Sequence, residues 1–202
     1  MLTVRFIRHG ESLANAGGVT SETRSTPLTD LGRSQAIDIS RSFTAPPALI
    51  VASPYLRARH TADPTAERFP HVPLEIWPVQ EFTYLAEARC LNTTTMQRLP
   101  WATEFWTAAD PHRVDGGGAE SYCAMIGRVH AMLEQLTALD APSVAVFSHG
   151  TFMKAVHWEI EKRGGDIGPD HMRGFRAFNL AAPIANAEGF DAHWDGKAWQ
   201  IG

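Results

Sequence analysis

Two histidines in this sequence share a local setting. Arg8-His9-Gly10 follows the apolar residues Leu2, Val4, Phe6 and Ile7, and Ser148-His149-Gly150 follows an apolar run at 143–147. Short apolar runs of this kind read as buried strands, so both histidines stand at strand ends. Neutral imidazole is a nucleophile and proton acceptor near pH 7. The arginine beside His9 brings a planar fork suited to phosphate or carboxylate, and the chain favours that fork, with fifteen Arg against three Lys. A histidine nucleophile next to guanidinium groups suits chemistry on an anionic, oxygen-rich centre.

The flanking residues are more specific. Arg8-His9-Gly10-Glu11-Ser12, with Asn15 three residues on, resembles the signature of the histidine phosphatase superfamily, also called the phosphoglycerate-mutase-like family. Pro27-Leu28-Thr29-Asp30-Leu31-Gly32-Arg33-Ser34-Gln35-Ala36 is similar to that family's first helix. Ser53-Pro54-Tyr55-Leu56-Arg57-Ala58-Arg59-His60-Thr61-Ala62 is similar to its second arginine segment, and Ser148-His149-Gly150-Thr151 to the segment of its second histidine. The blocks occur in the family's order and span most of the chain.

That resemblance implies a phosphomonoester hydrolase in which His9 accepts the phosphoryl group covalently, dividing one difficult displacement into two. Arg8, Arg57 and His149 would donate to the phosphoryl oxygens. Asn15 and backbone amides near Gly10 and Gly150 would add neutral hydrogen bonds, those at Gly150 from a helix amino end. With so many donors no metal and no cofactor is implied. The leaving oxygen still needs a proton, which the family supplies from a carboxylic acid after its third strand. Glu81, between Val79 and Phe82, stands at that place, with Glu87 as the alternative because the flanking glycines of the mutase-type motif are missing. A phosphoglycerate mutase-type phosphotransferase would use the same pocket, and a non-catalytic phosphate-recognising module would share the fold. The chain's length and the missing glycines favour hydrolysis over isomerisation, and the complete residue set favours an enzyme over an inactive module. The partner expected is a small phosphomonoester.

The elements that must position these residues alternate between strand and helix. A strand at 1–7 leads into a Gly- and Ser-rich loop. Thr29 then caps a helix carrying Gly32, Ala36, Ile39 and Phe43 on one face. A strand at 48–52 precedes a helix from about Tyr55, which Pro64 should kink or interrupt. A third strand is expected at 74–77. Residues 78–118 read as irregular, with short helices near Thr93 and Trp101, and form a lid within one domain of residues 1–202. In it Phe105, Trp101 and Trp106 would line the pocket or pack a small core, and Arg24, Arg89 and Lys154 are candidate readers of substrate charge. Gly116-Gly117-Gly118 reads as a hinge beside Glu120-Ser121. An amphipathic helix follows at 121–138, then the strand at 143–147, and a helix that Gly164-Gly165 should stop. The tail from Arg173 alternates like strands, with Asp195-Gly196 as a hairpin turn. The expected fold is α/β: a three-layer αβα sandwich with a mainly parallel central sheet, phosphoglycerate-mutase-like. In such sheets ligands bind beyond the strands' carboxyl ends, where both histidines lie.

Composition narrows the classes further. The 202 residues carry a net charge of −4, which offers no polybasic field for nucleic acid or an anionic membrane. Only two cysteines, Cys90 and Cys123, are present, too few for a disulfide framework. No run approaches the ~20 apolar residues of a membrane span, and the N-terminus lacks a signal peptide's apolar core. A cytoplasmic protein is expected.

Overall fold

The computed structural model describes residues 1–19, 22–162 and 165–202. Its first strand, β1 (Leu2–Arg8), buries Leu2, Val4 and Phe6 on one face and Ile7 on the other. Successive strand residues point to opposite faces, so a strand that buries both must be covered by helices on both. The remaining elements supply that cover: α1 (Asp30–Ser42), β2 (Leu49–Ala52), α2 (Leu56–Arg68), β3 (Leu74–Ile76), α3 (Glu87–Cys90), α4 (Thr95–Ala108), α5 (Tyr122–Thr137), β4 (Ser143–Ser148), α6 (Gly150–Lys162), α7 (Pro169–Ala181), β5 (Gly189–Trp194) and β6 (Trp199–Ile201).

The strands form one sheet in the order β3-β2-β4-β1-β5-β6. β3, β2, β4 and β1 are parallel, and β5 runs antiparallel to both β1 and β6. On one face Ile7, Ile50, Ala145 and Phe147 pack against Ile39 of α1 and Ala62 of α2. On the other, Val4, Phe6 and Val146 pack against Met125 and Val129 of α5 and Phe152 and Val156 of α6. This is the three-layer α/β architecture expected. Each fully buried side chain of this size contributes roughly 1.5–3 kcal/mol of transfer free energy, so each layer is held by several such contributions.

Two expectations need correction. The stretch after Arg173 is not strand at first but the helix α7, which starts at Gly168-Pro169 and buries Met172 and Phe175. Proline at the first helical position was the available signal. Of the two outcomes expected at Pro64, a kink or an interruption, the interruption does not occur, since α2 continues to Arg68. The residue whose carbonyl loses its amide donor there is His60, which is exposed, so water can replace the bond. The terminal hairpin is present as β5 and β6. The expected stop at Gly164 lies outside the described residues, although α6 ends at Lys162.

Residues 78–118 are more ordered than expected. α4 has fourteen residues and a capping box, in which Gln97 N donates to Thr94 Oγ1 and Thr94 N donates to Gln97 Oε1. Phe105 and Trp106 are buried in an aromatic cluster with Phe82, Tyr84 and Tyr122. They form a small core, and Trp101 instead lies beneath Arg89.

Candidate active site

The β1·β4 register pairs Arg8 with Ser148, so both strands end level and the next residue of each is a histidine. His9 N donates to Ser148 O at 3.0 Å, and the two rings lie 5.0 Å apart. The loop after His9 is pressed against α1. A Cβ on Gly10 would stand 2.5 Å from the Gly32 carbonyl oxygen, and one on Gly32 would stand 2.0 Å from the Glu11 carbonyl oxygen. Only glycine at both positions permits this approach. Thr29, the α1 cap, also bonds Glu11 through its backbone and its hydroxyl.

His9 is 3% exposed and its tautomer is set by its neighbours. Nδ1 lies 2.7 Å from the Gly10 carbonyl oxygen, which can only accept, so Nδ1 carries the proton. Nε2 therefore presents a lone pair, and Arg57 Nε donates to it at 3.0 Å. Burial, then Arg57 and Arg8, push the His9 pKa well below 6.5 against the opposing Gly10 bond. The ring is neutral at pH 7 with Nε2 unprotonated. His149 is fully buried, and burial, Arg57 and His9 depress its pKa in the same way. Its Nε2 meets Ser53 Oγ at 2.7 Å, while Nδ1 has no partner.

Arg57 enters from the first turn of α2, held by Thr23 O at 2.7 Å and stacked over the Tyr55 ring. Arg8 is tied through Nη1 to Ile184 O, and its Nε is buried without a partner. Its side chain packs against Gly150, where an added Cβ would meet Arg8 Nε at an ordinary contact distance of 3.4 Å. Arg8, His9, Asn15, Arg57 and Glu81 line one cleft of about 810 Å³, and the fully buried His149 ring lies next to that of His9.

Several expected donors are already engaged. The Gly10 amide donates to Thr61 Oγ1 at 3.0 Å. At the amino end of α6, the amides of Thr151 and Phe152 donate to the Glu81 carboxylate at 3.3 and 3.1 Å, so an acidic side chain and not a ligand occupies them. Asn15 Oδ1 accepts from Ser12 and from Asn186 Nδ2. Asn186, which sequence reasoning missed, also donates to the carbonyls of His9 and Gly10.

Glu81 is held by a clamp that the sequence did not reveal. Arg128 grips the Glu120 carboxylate through Nε and Nη2 at 3.0 and 2.6 Å, and donates through Nη1 to the carbonyls of Pro78 and Gln80. Glu120 N donates to Thr83 O, and Ser148 Oγ to Val79 O. Glu87 also lines the cleft but is exposed, next to the turn at Gly118. Of the proposed charge readers only Arg24 lines the cleft. Arg89 pairs with Asp115, and Lys154 is buried over the Phe178 ring. Arg98 and Arg176, not singled out from sequence, line it instead. Both cysteines are free thiols. Among the described residues no three His, Cys, Asp or Glu side chains are grouped to hold a metal, and no helix is long and apolar enough to cross a membrane.

The model for the histidine phosphatase superfamily (branch 1) matches residues 4–194. A search of curated proteins finds no match. Among solved structures, a mycobacterial glucosyl-3-phosphoglycerate phosphatase in complex with VO3 superposes with a TM-score of 0.76 at 22% identity, covering 99% of this chain and 96% of that one. The alpha-ribazole phosphatase from Shigella flexneri gives 0.74 at 20% identity, covering 98% and 94%. A protein described as mycobacterial hydrolase 1 gives 0.73 at 22% identity, covering 99% and 96%.

Proposed function

This chain belongs to the histidine phosphatase superfamily, and we propose that it hydrolyses phosphomonoesters through a phosphohistidine on His9, with Glu81 as general acid and base. The observation that carries the reading is the His9 ring, kept neutral by burial, with its proton on Nδ1 and its Nε2 lone pair directed at a guanidinium. A phosphoryl group entering there meets the charges of Arg8 and Arg57. Its oxygens compete for the Arg57 N–H, which frees Nε2 to attack phosphorus. Arg8 Nε and His149 Nδ1, both buried and unpartnered, are further donors for those oxygens.

As the P–O bond of the ester breaks, the alkoxide takes a proton from Glu81. In the second half the Glu81 carboxylate takes a proton from water, the water oxygen attacks phosphorus, and the P–N bond breaks to return neutral His9 and inorganic phosphate. Glu87 shares the cleft wall, but only Glu81 is tied to the amino end of α6 beside the histidines. In this reading residues 78–118 act as the lid of a single domain spanning residues 1–202, and guanidinium groups supply the charge a metal would otherwise provide. Phosphate release from an aryl phosphate and a panel of alkyl phosphates, with chelator present, tests the reading. Release that survives chelator and vanishes in His9→Ala supports it. Release that His9→Ala retains overturns it.

A further inference from the structure

Arg8, Arg24, Arg57, Arg98 and Arg176 all line the cleft, and among the described residues none is ion-paired to a carboxylate. Outside the cleft, among the described residues, Arg33, Arg41, Arg89, Arg128 and Arg173 each pair with an acid and Arg113 with two, whereas Arg5, Arg59 and Arg68 make no such pair. The carboxylates lining the cleft do not balance its arginines. Glu120 is consumed by Arg128, Glu81 is bound by the amides of α6, and Glu87 stands unpaired.

A phosphomonoester carries between one and two negative charges near neutral pH, which Arg8 and Arg57 match. Arg24, Arg98 and Arg176 then remain, and they outnumber Glu87. Two of the three are held in place. Arg176 Cζ lies over the Trp106 ring at 4.8 Å, a cation–π contact, and such a contact does not use up the N–H donors of a guanidinium. Arg98 is steadied by long bonds, 3.3 and 3.4 Å, to the carbonyls of Cys90 and Thr93 and one of 3.3 Å to Thr95 Oγ1. They come from α4 and α7, distant in sequence, and the fold brings both to the same cleft. Its volume, about 810 Å³, suits a ligand much larger than phosphate alone.

We infer that the substrate carries a second anionic group, a carboxylate or a second phosphate, bound by Arg98 and Arg176. This rests on the phosphatase reading above and names the substrate class for it. The test compares kcat/KM across esters matched except for the extra charge: 3-phosphoglycerate with glycerol 3-phosphate, 6-phosphogluconate with glucose 6-phosphate, and fructose 1,6-bisphosphate with fructose 6-phosphate. The expected result is a ratio of about ten to a hundred in favour of the more anionic member in at least one pair, the span of one or two charge-assisted hydrogen bonds. The first two pairs report a carboxylate and the third a phosphate. In Arg98→Gln/Arg176→Gln that ratio falls to near one. Ratios near one for wild type while the esters are hydrolysed, or a ratio that survives in the double variant, overturn the second subsite and leave the phosphatase reading standing. No hydrolysis of any ester overturns both.

Discussion

Arg57 Nε donates to His9 Nε2 from 3.0 Å, so the cation that should hold the phosphoryl oxygens also holds the lone pair proposed to attack phosphorus. Substrate binding and activation of the nucleophile are therefore one event. Arg57 also helps depress the His9 pKa, second to burial. Arg57→Gln should lower kcat/KM by about 10²–10³, the usual cost of losing one preorganised donor to the transition state. Neutral His9 is the active form, and removing the cation raises its pKa. The acid limb of kcat/KM is expected below pH 6.5 in wild type, where the depressed His9 pKa lies, and should move to higher pH in the variant. An unmoved limb would contradict the role given to Arg57.

Stability should fall on acidification for the same reason. His9 and His149 have folded pKa values well below 6.5. Above that pH neither state binds the proton. Below it the unfolded chain does and the native chain does not, so stability is lost as pH falls from 6.5 toward the folded values. The slope is at most about 1.4 kcal/mol per pH unit for each histidine. Urea unfolding at several pH values between 7.5 and 5 should give a shallower dependence for His9→Ala than for wild type. Equal slopes would mean that His9 is not held neutral.

Glu81→Gln tests the proton donor by choice of leaving group. Alkoxides need protonation and acidic phenols do not. The variant should lose about 10²–10⁴ in kcat on alkyl phosphates and far less on p-nitrophenyl phosphate in a burst of phenol release. Glu87→Gln should match wild type on both. The reverse pattern would transfer the role to Glu87.

Arg128 touches no proposed reacting atom, yet it bonds the carbonyls of Pro78 and Gln80 just before Glu81. It is a positioning residue. Arg128→Met should reproduce the leaving-group pattern of Glu81→Gln, weakened to about tenfold, with little change in KM for p-nitrophenyl phosphate. A uniform loss on every ester would instead mark a general structural role.

The parts of this molecule that were legible in the sequence are those governed by local patterns. The apolar runs before His9 and His149 identified strands, and the level ends of β1 and β4 brought the histidines together as the sheet rule requires. The Thr29 cap and the apolar face of α5 were equally plain. What escaped depends on contacts between distant segments. Nothing local tells that Glu81 will take the amides of Thr151 and Phe152, or that Arg128 will bond the carbonyls of the stretch before it. The same holds for Arg98 and Arg176, whose place in the cleft is set by the packing of α4 and α7. Arg89 and Lys154 looked equally available and found partners elsewhere. The helix α7 was missed for a different reason: the tail was read at period two, and Pro169 at its first turn was not used as a helix start.

The covalent intermediate is the centre of the account. Rapid mixing of enzyme with a labelled phosphomonoester, quenching in alkali and mapping of the labelled peptide test it directly. The account predicts acid-labile phosphate on Nε2 of His9, formed and consumed as fast as turnover and accumulating when Glu81→Gln slows its hydrolysis. Label on another residue, or steady phosphate release with no phosphohistidine at any time, would contradict it.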